Sequence, residues 1–142
     1  MLSNTRAFRI EWGHCDPAGI VFFPRYFEMF DAASAALFER ACGMTKYQML
    51  KHYGTAGIPL VENRARFLIS TRFGDDVSLE TTVTELRRSS FTIQHRLRKA
   101  GALAVEGNET RVWAGHDPEN PERIKAQPIP PELAARLRGE AP

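Results

Sequence analysis

The sequence predicts an α+β protein in which a five-stranded antiparallel sheet packs against one long helix. Three observations predict it: one long stretch with apolar residues at helical spacing, five stretches with strand-like patterns, and short bends between the last four of these. Strands joined by short bends pair antiparallel, and a single apolar helix must be covered by a sheet. We therefore expect the element order β-α-β-β-β-β in one domain over residues 1–142.

The first half of the chain predicts one strand and two helices. Phe8–Trp12 alternates apolar and polar residues, as a half-buried strand does. The long helix is predicted from Pro24 to Cys42, because proline suits a first helical turn and a glycine follows the apolar stripe. Thr45 and Gln48 have the spacing of a capping box, which predicts a short helix that ends near Gly54.

The second half predicts the other four strands and a short last helix. In the last strand the apolar parity changes around Gly107 and Asn108, which predicts a β-bulge there. The last helix is expected to start at Pro131, because Leu133 and Leu137 lie one turn apart. The four strands are predicted at Ile58–Leu68, Val77–Glu85, Ser90–Arg98 and Leu103–Trp113.

Composition and charge narrow the classes of function. Of the 142 residues, 43% are hydrophobic and 25% are charged, which is typical of a globular protein. The net charge of +2 is too small for a nucleic-acid scaffold, although it suits an anionic small molecule. No apolar run reaches the ~20 residues of a membrane span, so we expect neither nucleic-acid nor membrane partners. Two cysteines, Cys15 and Cys42, and no secretory signal predict free thiols in a cytoplasmic protein.

The segment from Gly13 to Pro24, GHCDPAGIVFFP, carries the strongest indication of chemistry. Asp16 lies in a glycine-flanked loop that leads into the long helix. The start of a helix presents unpaired N–H groups and partial positive charge, so it can hold a carbonyl oxygen while a carboxylate acts on the carbonyl carbon. Asp is also a common turn residue, and the residue types alone leave both roles open.

The run Asp16-Pro17-Ala18-Gly19-Ile20-Val21 closely resembles the 4-hydroxybenzoyl-CoA thioesterase family. That family has the hotdog fold, in which a sheet wraps around a long central helix. The resemblance covers about residues 8–115 and continues through Pro24, Tyr26, Asp31-Ala32-Ala33-Ser34, Gly57-x-Pro59, Asp75-Asp76-Val77, Glu80-Thr81 and Arg87-Arg88-x-Ser90-Phe91.

The resemblance implies hydrolysis of an acyl-CoA thioester. Asp16 would be the catalytic carboxylate, either attacking the thioester carbon or activating a water molecule, and the backbone amide of Phe23 would polarise the thioester carbonyl. From the residues alone, the arginine pair could equally be a solvated bend and the apolar positions could be core. The substrate contacts that the resemblance implies are Tyr47, Ile58, Pro59, Leu60, Arg87, Arg88, Ser89 and Ser90, of which Arg87, Arg88 and Ser89 would hold the nucleotide and pantetheine portion of CoA.

Three positions depart from the family enzyme. Phe23 stands where that enzyme has a tyrosine, and Ile58 stands where it has a threonine. Because both changes delete a hydroxyl, we expect a less polar aryl-CoA such as benzoyl-CoA, or a broad acyl range. Ser89 stands where the family enzyme has a lysine, which predicts weaker phosphate binding at that position.

No metal or redox cofactor is expected, because the four histidines lack metal-ligand spacing and CoA is part of the substrate. The open edges of the predicted sheet favour self-association to a homodimer or homotetramer. The resemblance implies that arginines of one chain meet Asp16 of another. Two alternatives stay open: a hotdog protein that binds acyl-CoA or acyl carrier protein without hydrolysis, and the related dehydratase chemistry.

Overall fold

One long helix, α1 (Pro24–Cys42), runs beneath the sheet of the computed structural model, which describes residues 1–140. Its bounds confirm the prediction. Pro24 occupies the first turn, where its missing N–H group costs no hydrogen bond. Gly43 follows the last turn with a φ of 68°, a left-handed conformation that glycine adopts without strain.

The sheet has five strands: β1 (Ser3–Arg9), β2 (Leu60–Phe67), β3 (Asp76–Leu86), β4 (Ser90–Lys99) and β5 (Ala102–Val112). All of them pair antiparallel, in the spatial order β1-β3-β4-β5-β2. The inner face of the sheet packs on α1, and strands β1 and β2 form its two open edges. The predicted antiparallel sheet around one long helix is confirmed.

The predicted bounds of the first strand, Phe8–Trp12, were wrong. The strand pairs with β3 from Ser3 onward and ends at Arg9, although its polar first half shows no alternation in the sequence. The residues after it form a short 3-10 turn, Trp12–His14, in which Nδ1 of His14 accepts the N–H of Glu11 at 2.9 Å. This local capping interaction replaces the strand that the alternation predicted.

The predicted bulge at Gly107 and Asn108 was also wrong. Both residues pair regularly with β4, whereas the ladder skips Ala104, between the paired residues Leu103 and Val105. Ala104 and Val105 are both buried as a result. The glycine in the strand therefore has another cause, namely close packing.

Two further helices agree with the predictions, and one small sheet was missed. Helix α2 (Lys46–Tyr53) has the predicted capping box, and α3 (Pro131–Leu137) buries both of its leucines. A hairpin of β6 (Ala114–His116) and β7 (Ile124–Ala126) follows β5. Its strands of three residues are too short to show a pattern. The single domain over residues 1–142 stays a prediction, and residues 141–142 lie outside the described part.

A buried polar network ties α1 to strands β4 and β5. Nε2 of His95 lies 2.8 Å from Oε1 of Glu109, which also accepts a hydrogen bond from Ser34 on α1. Arg111 Nη2 donates to Glu109 Oε2 at 3.0 Å and to Asp31 Oδ1 on α1 at 2.7 Å. Because these groups are held between helix and sheet, removing one leaves its partners buried without compensation.

The carboxyl of Glu109 is only 2% exposed, and burial alone would raise its pKa. The hydrogen bonds and charges of His95, Ser34 and Arg111 outweigh burial and hold the pKa of Glu109 below its ordinary value. A lowered folded-state pKa means that the charged form is favoured by folding. Its stabilisation is present above the ordinary value of 4.5 and is lost as the pH falls through the lowered folded-state value.

We predict that Glu109→Gln lowers the free energy of unfolding by about 3 kcal/mol at neutral pH, because Arg111 stays buried with a weaker partner. Urea unfolding from pH 7 to pH 3 checks the sign. The difference between wild type and variant should shrink below about pH 4.5, where Glu109 begins to take up a proton in the unfolded chain. A difference that stays constant or grows down to pH 3 would contradict the lowered pKa of Glu109 in the folded protein.

Gly107 gives a second test of the packing under the sheet. A Cβ atom there would lie 2.5 Å from Cε2 of Phe30, whose ring stacks on His95 at 4.6 Å between centroids. We predict that Gly107→Ala destabilises the protein by about 1–3 kcal/mol, as overpacking does. Gly13→Ala is the control, since nothing lies within 4 Å of a Cβ there. Equal unfolding midpoints for the two variants would show that Phe30 can move aside.

Candidate functional site

The loop before α1 folds back on itself as two short antiparallel arms. Near its turn, the N–H of Asp16 donates to the carbonyl of Ile20 at 2.9 Å. Near its open end, the N–H of Phe22 donates to the carbonyl of His14, also at 2.9 Å. These bonds fix the arm that carries Asp16 against the arm that enters α1.

The carboxylate of Asp16 is half-buried and only partly used by the protein. Its Oδ1 accepts the N–H of Ala18 at 2.8 Å, a turn interaction within the loop. Gly19 completes this turn with a φ of 79°, which favours glycine. Within residues 1–140 the carboxylate has no other hydrogen bond and no ion pair, so Oδ2 is available to an incoming group. The two roles that the sequence left open, turn residue and catalytic carboxylate, are compatible.

The backbone amide of Phe23 is an unused donor at the start of α1. Phe23 is the N-cap residue, and the next residue, Pro24, has no N–H group. The following amides are taken, since Arg25 donates to the carbonyl of Phe22 at 2.8 Å and Tyr26 to that of Phe23 at 3.1 Å. In the described part of the chain the Phe23 amide donates to no acceptor. It therefore presents a free N–H at the positive end of the helix dipole.

An apolar cavity of about 180 Å³ adjoins Phe23. The ring of Phe67, at the end of β2, lies 6.4 Å from the ring of Phe23 and 5.6 Å from that of Tyr26, measured between centroids. We call this region, with Asp16, Phe23 and Phe67, the helix-start end. The cavity is lined by Ile20, Val21, Phe23, Tyr26, Phe67, Leu68, Ile69 and Ser70.

The run Phe67-Leu68-Ile69 is part of this cavity, and the sequence analysis did not single it out. Its three apolar residues are 49%, 48% and 41% exposed in one chain, although Phe67 ends the strand and the other two follow it directly. Exposed apolar residues in a row can mark a binding surface. The sequence does not show that these three are exposed, because they look like part of a buried strand until the end of the strand is known.

The other predicted site residues lie at the opposite end of β2. Tyr47 on α2 is exposed, and the ammonium of Lys51 lies 4.7 Å from the centre of its ring. Ile58 packs in the core, whereas Leu60 is exposed. Between them, the carbonyl of Pro59 accepts the N–H of Val112 at 3.0 Å. Val112 pairs with Ser90 on its other side. The two predicted segments are thus neighbours across β5.

Arg87 and Arg88 lie in the turn between β3 and β4, and they differ in how many partners their guanidinium groups have. Arg87 lies 2.7 Å from Glu85 and donates from Nε to the hydroxyl of Ser90 at 2.8 Å. Arg88 is exposed, and its guanidinium has no partner within residues 1–140, while Ser89 beside it is half-buried. Arg88 is therefore the freer of the two cations. We call this region, with Tyr47, Ile58–Leu60 and Arg87–Ser90, the α2 end.

The helix-start end and the α2 end are separated by the length of a strand. Strand β2 starts at Leu60 and ends at Phe67, and the seven steps of ~3.3 Å between its eight residues span ~23 Å. Asp16 and Phe23 are brought to one end, whereas the segment Ile58–Leu60 is brought to the other. One chain does not unite the predicted site residues.

No group of three or more His, Cys, Asp or Glu side chains in residues 1–140 is placed to bind a metal ion. Both cysteines are free, Cys15 half-buried in the loop and Cys42 buried at the end of α1. None of the helices in this part of the chain is long and apolar enough to cross a membrane.

Comparisons with known proteins agree on one family. A sequence model of the thioesterase-like superfamily matches residues 10–137. The chain is 37% identical over 134 residues to the 4-hydroxybenzoyl-CoA thioesterase of Pseudomonas sp. (strain CBS-3), covering 90% of this chain and 92% of that protein. A crystal structure of a 4-hydroxybenzoyl-CoA thioesterase variant complexed with 4-hydroxybenzoyl-CoA has a TM-score of 0.87 and 32% identity, covering 96% of this chain and 99% of that one. The structure of a gentisyl-coenzyme A thioesterase has a TM-score of 0.79 and 29% identity, covering 95% of this chain and 99% of that one.

Proposed function

We propose that this chain, which belongs to the thioesterase-like superfamily and is a thioester hydrolase with the hotdog fold, cleaves an aryl-CoA thioester. The products are the free acid and CoA. The single observation that carries the proposal is the unused amide of Phe23 at the start of α1, in the same folded loop as the carboxylate of Asp16. The apolar cavity beside Phe23 suits an aromatic acyl group.

In the proposed reaction the thioester carbonyl oxygen accepts the N–H of Phe23, and the aryl group lies against Phe67. The amide and the helix dipole stabilise the negative charge that develops on this oxygen as the carbon becomes tetrahedral. Oδ2 of Asp16 either attacks the carbon, giving an anhydride that water then hydrolyses, or removes a proton from the attacking water. In both routes the carbon–sulfur bond breaks and CoA leaves as the thiolate, which becomes the thiol by taking up a proton that the consumed water molecule supplies. Water is the co-substrate, and we propose that no metal or redox cofactor takes part.

A complete site requires two copies of the chain. The substrate contacts implied at Ile58–Leu60 lie at the start of β2, and the strand carries the chain ~23 Å from there to Phe67, whose ring lies beside that of Phe23, so one chain does not bring both sets to the same aryl group. Strand β2 is an open edge and exposes Leu60, Val61 and Phe67, which are 42%, 61% and 49% exposed. An antiparallel pairing of β2 with β2 of a second copy covers this edge and places the α2 end of one chain beside the helix-start end of the other. We therefore propose a homodimer, with or without further assembly to a homotetramer.

The α2 end then receives the nucleotide of CoA. Arg88 has a free guanidinium for a phosphate group, whereas Arg87 is shared with Glu85 and Ser90. Ser89 adds a hydroxyl donor in the same turn. The pantetheine arm leads from there past the segment Ile58–Leu60 of one chain to Phe23 of the other. A cytoplasmic location, where CoA esters are made and used, is part of this proposal and is consistent with the two free thiols.

Asp16→Asn tests the catalytic carboxylate. Because an amide neither attacks the thioester nor takes a proton from water, kcat should fall at least ~10²-fold while folding is retained. A thiol-release assay with benzoyl-CoA, together with thermal unfolding, gives both values. A wild type that binds CoA esters and never releases thiol would instead support the alternative of a binding protein without hydrolysis.

The amide of Phe23 is tested by removing its N–H group. Phe23 has a φ of −53°, which proline can adopt, so Phe23→Pro deletes the donor at a φ that suits the new residue. Phe23→Ala is the matched control, because it removes the ring and keeps the N–H. Relative to this control, kcat of Phe23→Pro should fall by about 10²–10³, the usual cost of one lost donor to the oxyanion. Similar kcat values for the two variants would remove the amide from the mechanism.

The acyl preference follows from the missing hydroxyl of Phe23, whereas Ile58 lies at the α2 end, where the pantetheine arm passes. Phe23 adjoins the cavity and offers no hydrogen bond to a phenol, so benzoyl-CoA should be hydrolysed at least as efficiently as 4-hydroxybenzoyl-CoA. The values of kcat/KM for these two esters and a medium-chain acyl-CoA decide the point. A preference of about tenfold or more for the 4-hydroxy compound would contradict this expectation.

A further inference from the structure

The α2 end contains a second cavity, of about 340 Å³, that the catalytic proposal does not use. It lies between the first turn of α2 and the segment that enters β2, and its lining includes Lys46, Ile58, Pro59 and Arg111. None of its lining residues is acidic. The cavity therefore combines two cations with apolar walls, directly beside a segment that the proposed function assigns to the substrate.

The two cations differ in how far the protein has neutralised them. Arg111 is buried and bonded to Glu109 at 3.0 Å and to Asp31 at 2.7 Å, so its charge is balanced within the chain. Lys46 is half-buried, and in the described residues its ammonium has neither an ion pair nor a hydrogen bond. It is the charge at this cavity that a ligand can still pair with.

The position of Lys46 is not explained by the stability of α2. It is the first residue of that helix, where the helix dipole opposes a cation, and no acidic residue lies in the same turn. The helix start is already capped by Thr45 and Gln48, whose side chains and amides bond reciprocally. An anion at the cavity would offset this unfavourable charge.

Lys46 also lies at the α2 end, beside residues that the proposed function assigns to the substrate. The cavity includes Pro59, whose carbonyl accepts the N–H of Val112, and Val112 pairs with Ser90 next to the arginine turn. Coenzyme A carries a diphosphate and a 3′-phosphate, more negative charge than one free guanidinium at Arg88 can balance. We propose that Lys46 is a further substrate-binding residue and contacts a phosphate group of CoA, a role that rests on the proposed function.

The test compares benzoyl-CoA with benzoyl-pantetheine, which has the same thioester and pantetheine but no nucleotide phosphate. Lys46→Ala should raise KM for benzoyl-CoA about tenfold with kcat unchanged, and should leave KM for benzoyl-pantetheine unchanged. Lys46→Arg should keep most of the affinity. Raising the salt concentration should reduce the difference between wild type and Lys46→Ala, because exposed charges are screened.

Lys125→Ala is the matched control for loss of one positive charge nearby. Lys125 is exposed on β7 and does not line the cavity, whereas its neighbour Ile124 does, so KM should not change. An equal rise of both KM values in Lys46→Ala, or a rise of less than about twofold for benzoyl-CoA, would overturn the assignment. If the wild type hydrolyses neither ester, the proposed function fails. Calorimetric binding of free CoA to wild type and Lys46→Ala then decides the role of Lys46 by itself.

Discussion

The length of strand β2 is the constraint on which the account of this molecule depends. Eight extended residues keep Leu60 and Phe67 ~23 Å apart, and each residue marks a different functional end of the chain. Regular pairing with β5 from Glu62 to Phe67 holds most of the strand extended, and the ladder has one register shift, at Val61 next to Leu60. We therefore propose that the substrate is bound between two chains, and the open edge of β2 is where a second chain can pair.

The helix-start end needs a rigid α1, because a polarising amide is useful only when it is fixed in place before the substrate arrives. The structure supplies this rigidity from the inside of the sheet. Asp31 and Ser34 on α1 are joined through Arg111 and Glu109 to β5, and through His95 to β4. Forming such a buried charged network costs desolvation energy, and once formed it holds the helix in place, because moving one member leaves its partners buried without compensation.

Local signals predicted the long helix and the chemistry of the loop before it. Pro24 and the glycine after Cys42 mark the helix ends, and the carboxylate of Asp16 next to a helix start is visible in the sequence itself. Signals that depend on pairing were missed or wrong. The alternation of Phe8–Trp12 continues past the true strand end, and the bulge at Ala104 leaves no trace in the apolar pattern.

The sequence also did not show that the candidate site residues lie at two opposite ends of β2, because this too depends on how the strands pair. Which residues share an end follows from the strand order β1-β3-β4-β5-β2, which places Pro59 and Ser90 on either side of β5. In the sequence, the apolar residues Phe67-Leu68-Ile69 look like the end of a strand. The structure shows that they are exposed and line a cavity. Sequence patterns describe single elements well, whereas a site of the kind we propose, between two chains, depends on contacts between distant segments.

The most direct test of the two-chain site is complementation between two inactive variants. Asp16→Asn disables the helix-start end, and Arg88→Glu disables the α2 end by repelling the phosphates of CoA. Each homodimer should be nearly inactive at low benzoyl-CoA concentration. In a mixture refolded together, half of the dimers contain both variants, and each of these has one site with two intact halves. We expect about one quarter of the wild-type rate in this mixture. A rate no higher than the sum of the two separate variants would show that each site lies within one chain.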